Sequence, residues 1–142
     1  MDDLDRKIVH LLTKNARMPV KEIAEQVNLT SPAVSSRIRR LETEGVIGGY
    51  TVILHQPGEE ARVQALVSVS VNADSRDGFL ALAERDPRVL QCWKVTGSYN
   101  FIAKVSCENI DDLEHLLTRV QKLGSTNTQI ILNTPVDRPL SF

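Results

Sequence analysis

The stretch Thr30–Glu42, "TSPAVSSRIRRLE", sets three arginines within four positions and admits no acid until Glu42. The whole chain, 142 residues long, carries a formal net charge of only -1, so this positive charge is local. At roughly 100° per residue, Val34, Ile38 and Leu41 share one side of a helix. Pro32, Ser35, Ser36, Arg39 and Arg40 then point outward, with Arg37 on the flank. Small hydroxyls beside guanidinium groups suit a DNA major groove. Arginine can bind guanine O6 and N7 bidentately, and serine can bond bases or phosphates. Either Thr30 or Ser31 can cap the helix and Pro32 suits its first turn. Ser31 stands at a helix N-terminus whose free N–H groups and positive dipole end suit a phosphate.

Upstream, Leu4, Ile8, Leu11 and Leu12 give a first helix one apolar stripe. Pro19 suits the opening of a second helix, "VKEIAEQV", in which Val20, Ile23, Ala24 and Val27 share a face. Asn28 tolerates the left-handed conformation that a helix stop often needs. Two helices joined by so short a turn make a helix-turn-helix, and the arginines stand on its second helix. A charge run alone reads more readily as a basic face that meets only solvent; its place on the second helix of a tight pair, with small outward residues beside the arginines, turns the reading to DNA. Residues 1–50 hold eight basic and seven acidic side chains. The charge is therefore focused, with Arg17 and Lys21 as further phosphate contacts, and strength is expected from several linked copies.

Gly45 ends the third helix, and "VIGGYTVIL" reads as an extended or hairpin segment. "HQPGEEAR", His55 to Arg62, reads as a linker or turn, which divides the chain into domains 1–60 and 61–142. The second domain alternates. "RVQALVSVSV" is a strand with Val67, Val69 and Val71 on one face, and "RDGFLALAER" a short helix. "VLQCWKV" and "FIAKVSC" are strands around "TGSYN". "IDDLEHLLTRVQKLG" is a helix with Leu113, Leu116, Leu117 and Val120 in register, followed by Gly124, and "TNTQIILNTPV" is a final strand. The order β-α-β-β-α-β is that of a ferredoxin-like sandwich, so the fold class is α+β. Trp93 and Phe101 are expected as aromatic core or interface residues. One sheet face meets the helices and the other meets a second subunit.

The remaining signals exclude more than they assign. With 42% hydrophobic and 25% charged residues the composition is globular. No apolar run approaches the ~20 residues of a membrane span, and "MDDLDRKIVHLL" is neither a signal nor a transit peptide; a cytoplasmic, nucleoid-associated protein is expected. Two cysteines are too few for a disulfide framework. If Ser98 and Tyr99 cap a tight hairpin, Cys92 faces Val105 and Cys107 lies diagonally at ~7–8 Å, too far to bond. His10, His55 and His115 have no zinc-ligand spacing. No phosphate loop or nucleophile elbow is present. No enzyme activity, metal or cofactor is expected.

Taken together, "LDRKIVHLL", "NARMPVKEIAEQVNLT", "SPAVSSRIRRLETEGVIGGYTVIL" and "VTGSYNFIAKV" resemble the signatures of the Lrp/AsnC, or feast/famine, transcriptional regulators, in their order and over nearly the whole chain. The resemblance implies a winged or extended helix-turn-helix followed by a ferredoxin-like effector and oligomerisation domain. It also implies homodimers, often assembled into octamers, and an amino-acid effector bound between dimers. The family's recognition residues map onto Ser31, Pro32, Ser35, Ser36, Arg37 and Arg40. The family's effector turn carries acids in a pattern like Gly-Asp-Tyr-Asp, whereas here Gly97, Ser98, Tyr99 and Asn100 supply no negative charge. The turn reads either as an effector loop, with Gly124, Ser125, Thr126 and Thr128 completing its lining, or simply as a good hairpin turn. Two other functions share these parts. A DNA-bending architectural protein would have little sequence preference. A ligand-binding or enzymatic ferredoxin-like domain would use its N-terminal helices only for protein contacts.

Overall fold

A computed structural model describes residues 1–55 and 57–138. Gln56 of the expected linker and residues 139–142 of the second domain lie outside the described residues. Two compact units are present, one built on Met1–Leu54 and one spanning His55–Pro135. The division falls at the front of the segment read as a linker, where Gly58 is left-handed and Glu59–Ala61 form a single 3-10 turn.

The first unit is three helices, α1 (Asp3–Lys14), α2 (Val20–Val27) and α3 (Ser31–Thr43). Asp2 opens α1 through a reciprocal capping box: its Oδ1 accepts from Asp5 N–H at 2.8 Å, and Asp5 Oδ2 accepts from Asp2 N–H at 2.9 Å. Pro19 caps α2 and left-handed Asn28 (φ 54°) ends it. Thr30, not Ser31, caps α3, its hydroxyl accepting from Ala33 N–H at 3.4 Å. Ile8, Ile23, Ala24, Val27 and Val34 form the core, with Leu4, Leu11, Leu12 and Ile38 packed partly buried around it. Beyond Gly45 (φ 74°) the backbone folds back, Val46 and Ile47 N–H both reaching Leu41 O. The extended segment that follows forms no strand among the described residues. Val52, Ile53 and Leu54 are exposed there. An extended backbone becomes a strand only where another backbone pairs with it, and among the described residues none does.

The second unit has β1 (Val63–Val71), α4 (Arg76–Arg85), β2 (Val89–Lys94), β3 (Phe101–Cys107), α5 (Ile110–Gln121) and β4 (Gly124–Ile130). All neighbours pair antiparallel in the order β2-β3-β1-β4, the ferredoxin-like arrangement. Ala65, Val67, Val69 and Val71 alternate into the core. There they meet Phe101, Ala103 and Val105 from β3 and Phe79, Leu113, Leu116 and Val120 from the helices. The Phe79 and Phe101 rings lie 5.1 Å apart. Phe101 is thus core, while Trp93 stays 43% exposed and sits beside Ile102 on the opposite face.

Two expectations need correction. Cys92 faces Ala103, not Val105, and Cys107 faces Val63. The turn is longer than two residues, closed by Val95 N–H on Asn100 O at 2.9 Å. Asn100 also uses its side chain as a strand partner, donating to Val71 O at 2.8 Å and accepting from Val71 N–H at 3.0 Å. Both thiols are free, and burial pushes each of them up from the ordinary thiol value. β4 begins at Gly124 and ends at Ile130, earlier at both ends than expected. A Cβ at Gly124 would collide with the Ser70 carbonyl oxygen and come within 2.8 Å of Val71 Cγ1. Glycine is needed here for a close strand approach rather than for a helix stop.

Candidate nucleic-acid interface

The capping and turn chemistry around α3 decides which side chains it displays. Val34 and Leu41 are fully buried and Ile38 partly so, as the spacing requires. Pro32, Ser36, Arg39 and Arg40 are exposed, and Ser31 and Ser35 are half-buried beside them. Thr30 satisfies one N–H of the first turn, and neither an acid nor a bulky side chain stands there, so the positive end of the helix is open to an anion. Arg39 is exposed, and its guanidinium makes no hydrogen bond or ion pair among the described residues. Arg17, on the turn before α2, and Lys21, in its first helical turn, are also exposed.

Arg37 and Arg40 are placed differently from expectation. Arg37 Nη1 donates to Asp2 Oδ2 at 2.7 Å and to Asp5 Oδ1 at 2.8 Å; Arg40 Nη2 donates to Asp5 Oδ2 at 2.7 Å. Arg40, read as pointing straight outward, therefore turns part of its guanidinium back onto α1 and stays about half-exposed. Asp5 is fully buried. An unpaired carboxylate there would carry a large desolvation cost, and two guanidinium groups and a backbone N–H offset it. Burial pulls the Asp5 carboxyl up, but Asp2 N–H, Arg37 and Arg40 outweigh it and the net shift is down. The hydrogen bond from Arg37 holds the Asp2 carboxyl at about 2. These acids were missed from sequence. The available signal was two matched spacings: Asp2 and Asp5 three apart at one helix start, Arg37 and Arg40 three apart on another.

In the second unit, the 97–100 turn and the start of β4 flank the same end of β1. Asn100 binds Val71 on one side and Gly124 pairs with Val71 on the other. Gly97 has φ 110°, a conformation that disfavours any side chain. Ser98 and Ser125 are exposed; Tyr99, Thr126 and Thr128 are half-buried. Thr126 Oγ1 accepts from Gln121 at 3.2 Å, and Thr128 lies further along, opposite Val67. Arg76, three residues before Phe79 on α4, has a buried Nε without a hydrogen-bond partner among the described residues. At the other end of the sheet, buried Asp86 accepts from Arg88 at 2.7 Å and Arg119 at 3.0 Å, and Arg88 also reaches Asp112 at 2.7 Å. Among the described residues no group of His, Cys, Asp and Glu could hold a metal ion, and no helix is long and apolar enough to cross a membrane.

Residues 1–42 match the AsnC-type helix-turn-helix domain, and residues 64–141 match the Lrp/AsnC ligand binding domain. The HTH-type transcriptional regulator LrpB of Bacillus subtilis is 31% identical over 133 residues, covering 94% of this chain and 88% of its own length. The structure of Escherichia coli AsnC superposes with a TM-score of 0.86 at 28% identity, covering 99% of this chain and 97% of that one. A feast or famine regulatory protein of Mycobacterium tuberculosis complexed with L-methionine gives 0.81 at 32% identity, with 96% and 95% covered. Helix-turn-helix, four-stranded sheet and both domain matches agree along one chain: it belongs to the Lrp/AsnC family of DNA-binding transcriptional regulators.

Proposed function

We propose that the chain is a sequence-specific regulator in which α3 enters the major groove of double-stranded DNA. The observation that carries this is the exposed edge of Pro32, Ser36, Arg39 and Arg40 beside an open helix N-terminus. Arg39, with no protein partner among the described residues, makes the principal contact. Ser31 and its neighbouring N–H groups take a phosphate, Ser35 and Ser36 meet base edges or phosphates, and Arg17 and Lys21 meet flanking phosphates. Arg37 serves mainly to hold α3 against α1. Arg40 does both, its remaining donors facing outward.

The second unit joins copies of the chain into at least a homodimer, with octamers within reach of the same surfaces. Trp93 and Ile102 lie exposed or half-exposed on the sheet face away from the helices, with Leu66 on the same face. The ligand-binding-domain match and the L-methionine complex of the relative support an amino-acid-like effector. Its lining would come from Gly97, Ser98 and Tyr99 with Gly124, Ser125, Thr126 and Thr128. Asn100 instead spends its amide on Val71. No carboxylate stands in this turn for a ligand ammonium.

Footprinting on fragments selected from a random pool, at fixed salt, with and without pooled amino acids, tests this reading. Discrete protected sites support it. Protection spread along every fragment would favour the architectural alternative, and no protection would remove DNA from the account.

A further inference from the structure

Two of the three arginines on α3 are already engaged before any DNA arrives. Arg37 is 24% exposed and bonded through one nitrogen to both Asp2 and Asp5; Arg40 is bonded to Asp5. The two acids differ in one respect. Asp5 is sealed at 0% exposure, so it can be neither withdrawn nor replaced by another anion. The Asp2 side chain is 53% exposed, so its carboxylate stands in water beside the guanidinium it holds. A DNA phosphate and the Asp2 carboxylate are rival partners of similar chemistry for Arg37.

Resting on the DNA reading above, we infer that Asp2 is a specificity-determining residue. It acts as an internal counter-ion that withholds Arg37 from indiscriminate phosphate binding, so that Arg39 and its neighbours decide affinity through the bases. Non-specific affinity is carried by the number of phosphates a protein neutralises, each adding about 0.9 to the slope of log affinity against log salt. A guanidinium already neutralised by a carboxylate adds less. With Asp2 and Asp5 set against Arg37 and Arg40, the α3 arginine whose charge is uncommitted among the described residues is Arg39.

Asp2→Asn separates this role from the structural one. Asparagine caps a helix about as well as aspartate, so the oxygen that accepts from Asp5 N–H is retained while the negative charge on Arg37 is lost. Binding of the full chain is measured by fluorescence anisotropy between about 50 and 200 mM salt. One probe is a fragment selected by the wild type from a random pool, the other a scrambled fragment of equal length. The expected result is several-fold tighter binding of the scrambled fragment and a salt slope steeper by up to about 0.9 per subunit. The ratio of selected to scrambled affinity should fall. Repeating the substitution in an Arg37→Gln background should abolish the effect, which a merely structural role for Asp2 would not require. An unchanged slope and ratio in Asp2→Asn, or an effect that persists without Arg37, overturns the inference. A wild type that binds neither fragment overturns the DNA reading itself.

Discussion

Each of the two units buries one aspartate under two arginines, and the consequences differ. In the first, Asp5 binds Arg37 and Arg40, whose other donors lie beside an exposed helix edge. In the second, Asp86 binds Arg88 and Arg119 and the cluster extends to Asp112, tying the end of α4 to α5. In the second cluster Arg88 and Arg119 are both ion-paired, and acids Asp111 and Asp112 occupy the first turn of α5, so no helix end there is left open to an anion. The same chemistry therefore serves recognition in one unit and scaffolding in the other. The difference is whether the arginines are shared with a surface that can meet an anion.

The strongest way to break this comparison is to remove each buried acid. Asp86→Ala and Asp5→Ala should each destabilise their own unit by about 3 kcal/mol, the low end for a broken buried pair because the arginines remain partly exposed. Calorimetry resolves the two unfolding transitions. Asp86→Ala should leave DNA binding by the folded protein intact, whereas Asp5→Ala should weaken it.

Acid sharpens the parallel. Asp2, Asp5, Asp86 and Asp112 all hold their carboxyls below the ordinary carboxylate value of 3.8. The causes differ in rank: Arg37 leads for Asp2 and Arg88 for Asp86, and the backbone N–H of Glu108 leads for Asp112. In the folded chain each acid stays ionised to lower pH than in the unfolded chain. The stabilisation is complete above the ordinary value and is lost as pH falls below it, for Asp2 down to about 2. Urea midpoints across that window should fall for both units. In Asp5→Ala the fall in the first unit should be smaller. A smaller effect still is expected at the α3 cap. Thr30→Ala should cost the first unit about 0.5–1 kcal/mol in a thermal melt, the low end for a cap because the hydrogen bond is long at 3.4 Å.

The local parts of this fold are legible in the sequence. The inner side of α3 follows from the spacing of Val34 and Leu41, the stop of α2 from Asn28, and β3 from the alternation of Phe101, Ala103, Val105 and Cys107. What fails is long-range. Gly124 reads as a helix stop because nothing near it in sequence announces the Ser70 carbonyl. The hairpin register slips by two because four residues, Thr96 to Tyr99, make the turn that two were expected to make, with Val95 N–H closing on Asn100 O. At the site, the exposed edge of α3 could be drawn from helical spacing. The capture of Arg37 and Arg40 by acids 32 to 35 residues away could not.

The exposed, uncommitted guanidinium of Arg39 bears the central claim, and Arg39→Ala tests it most directly. With the thermal melt unchanged, affinity for the selected operator should fall by roughly 1–3 kcal/mol, or about 5- to 150-fold. Operator binding equal to that of the wild type would contradict the assignment of α3 as the DNA-reading element.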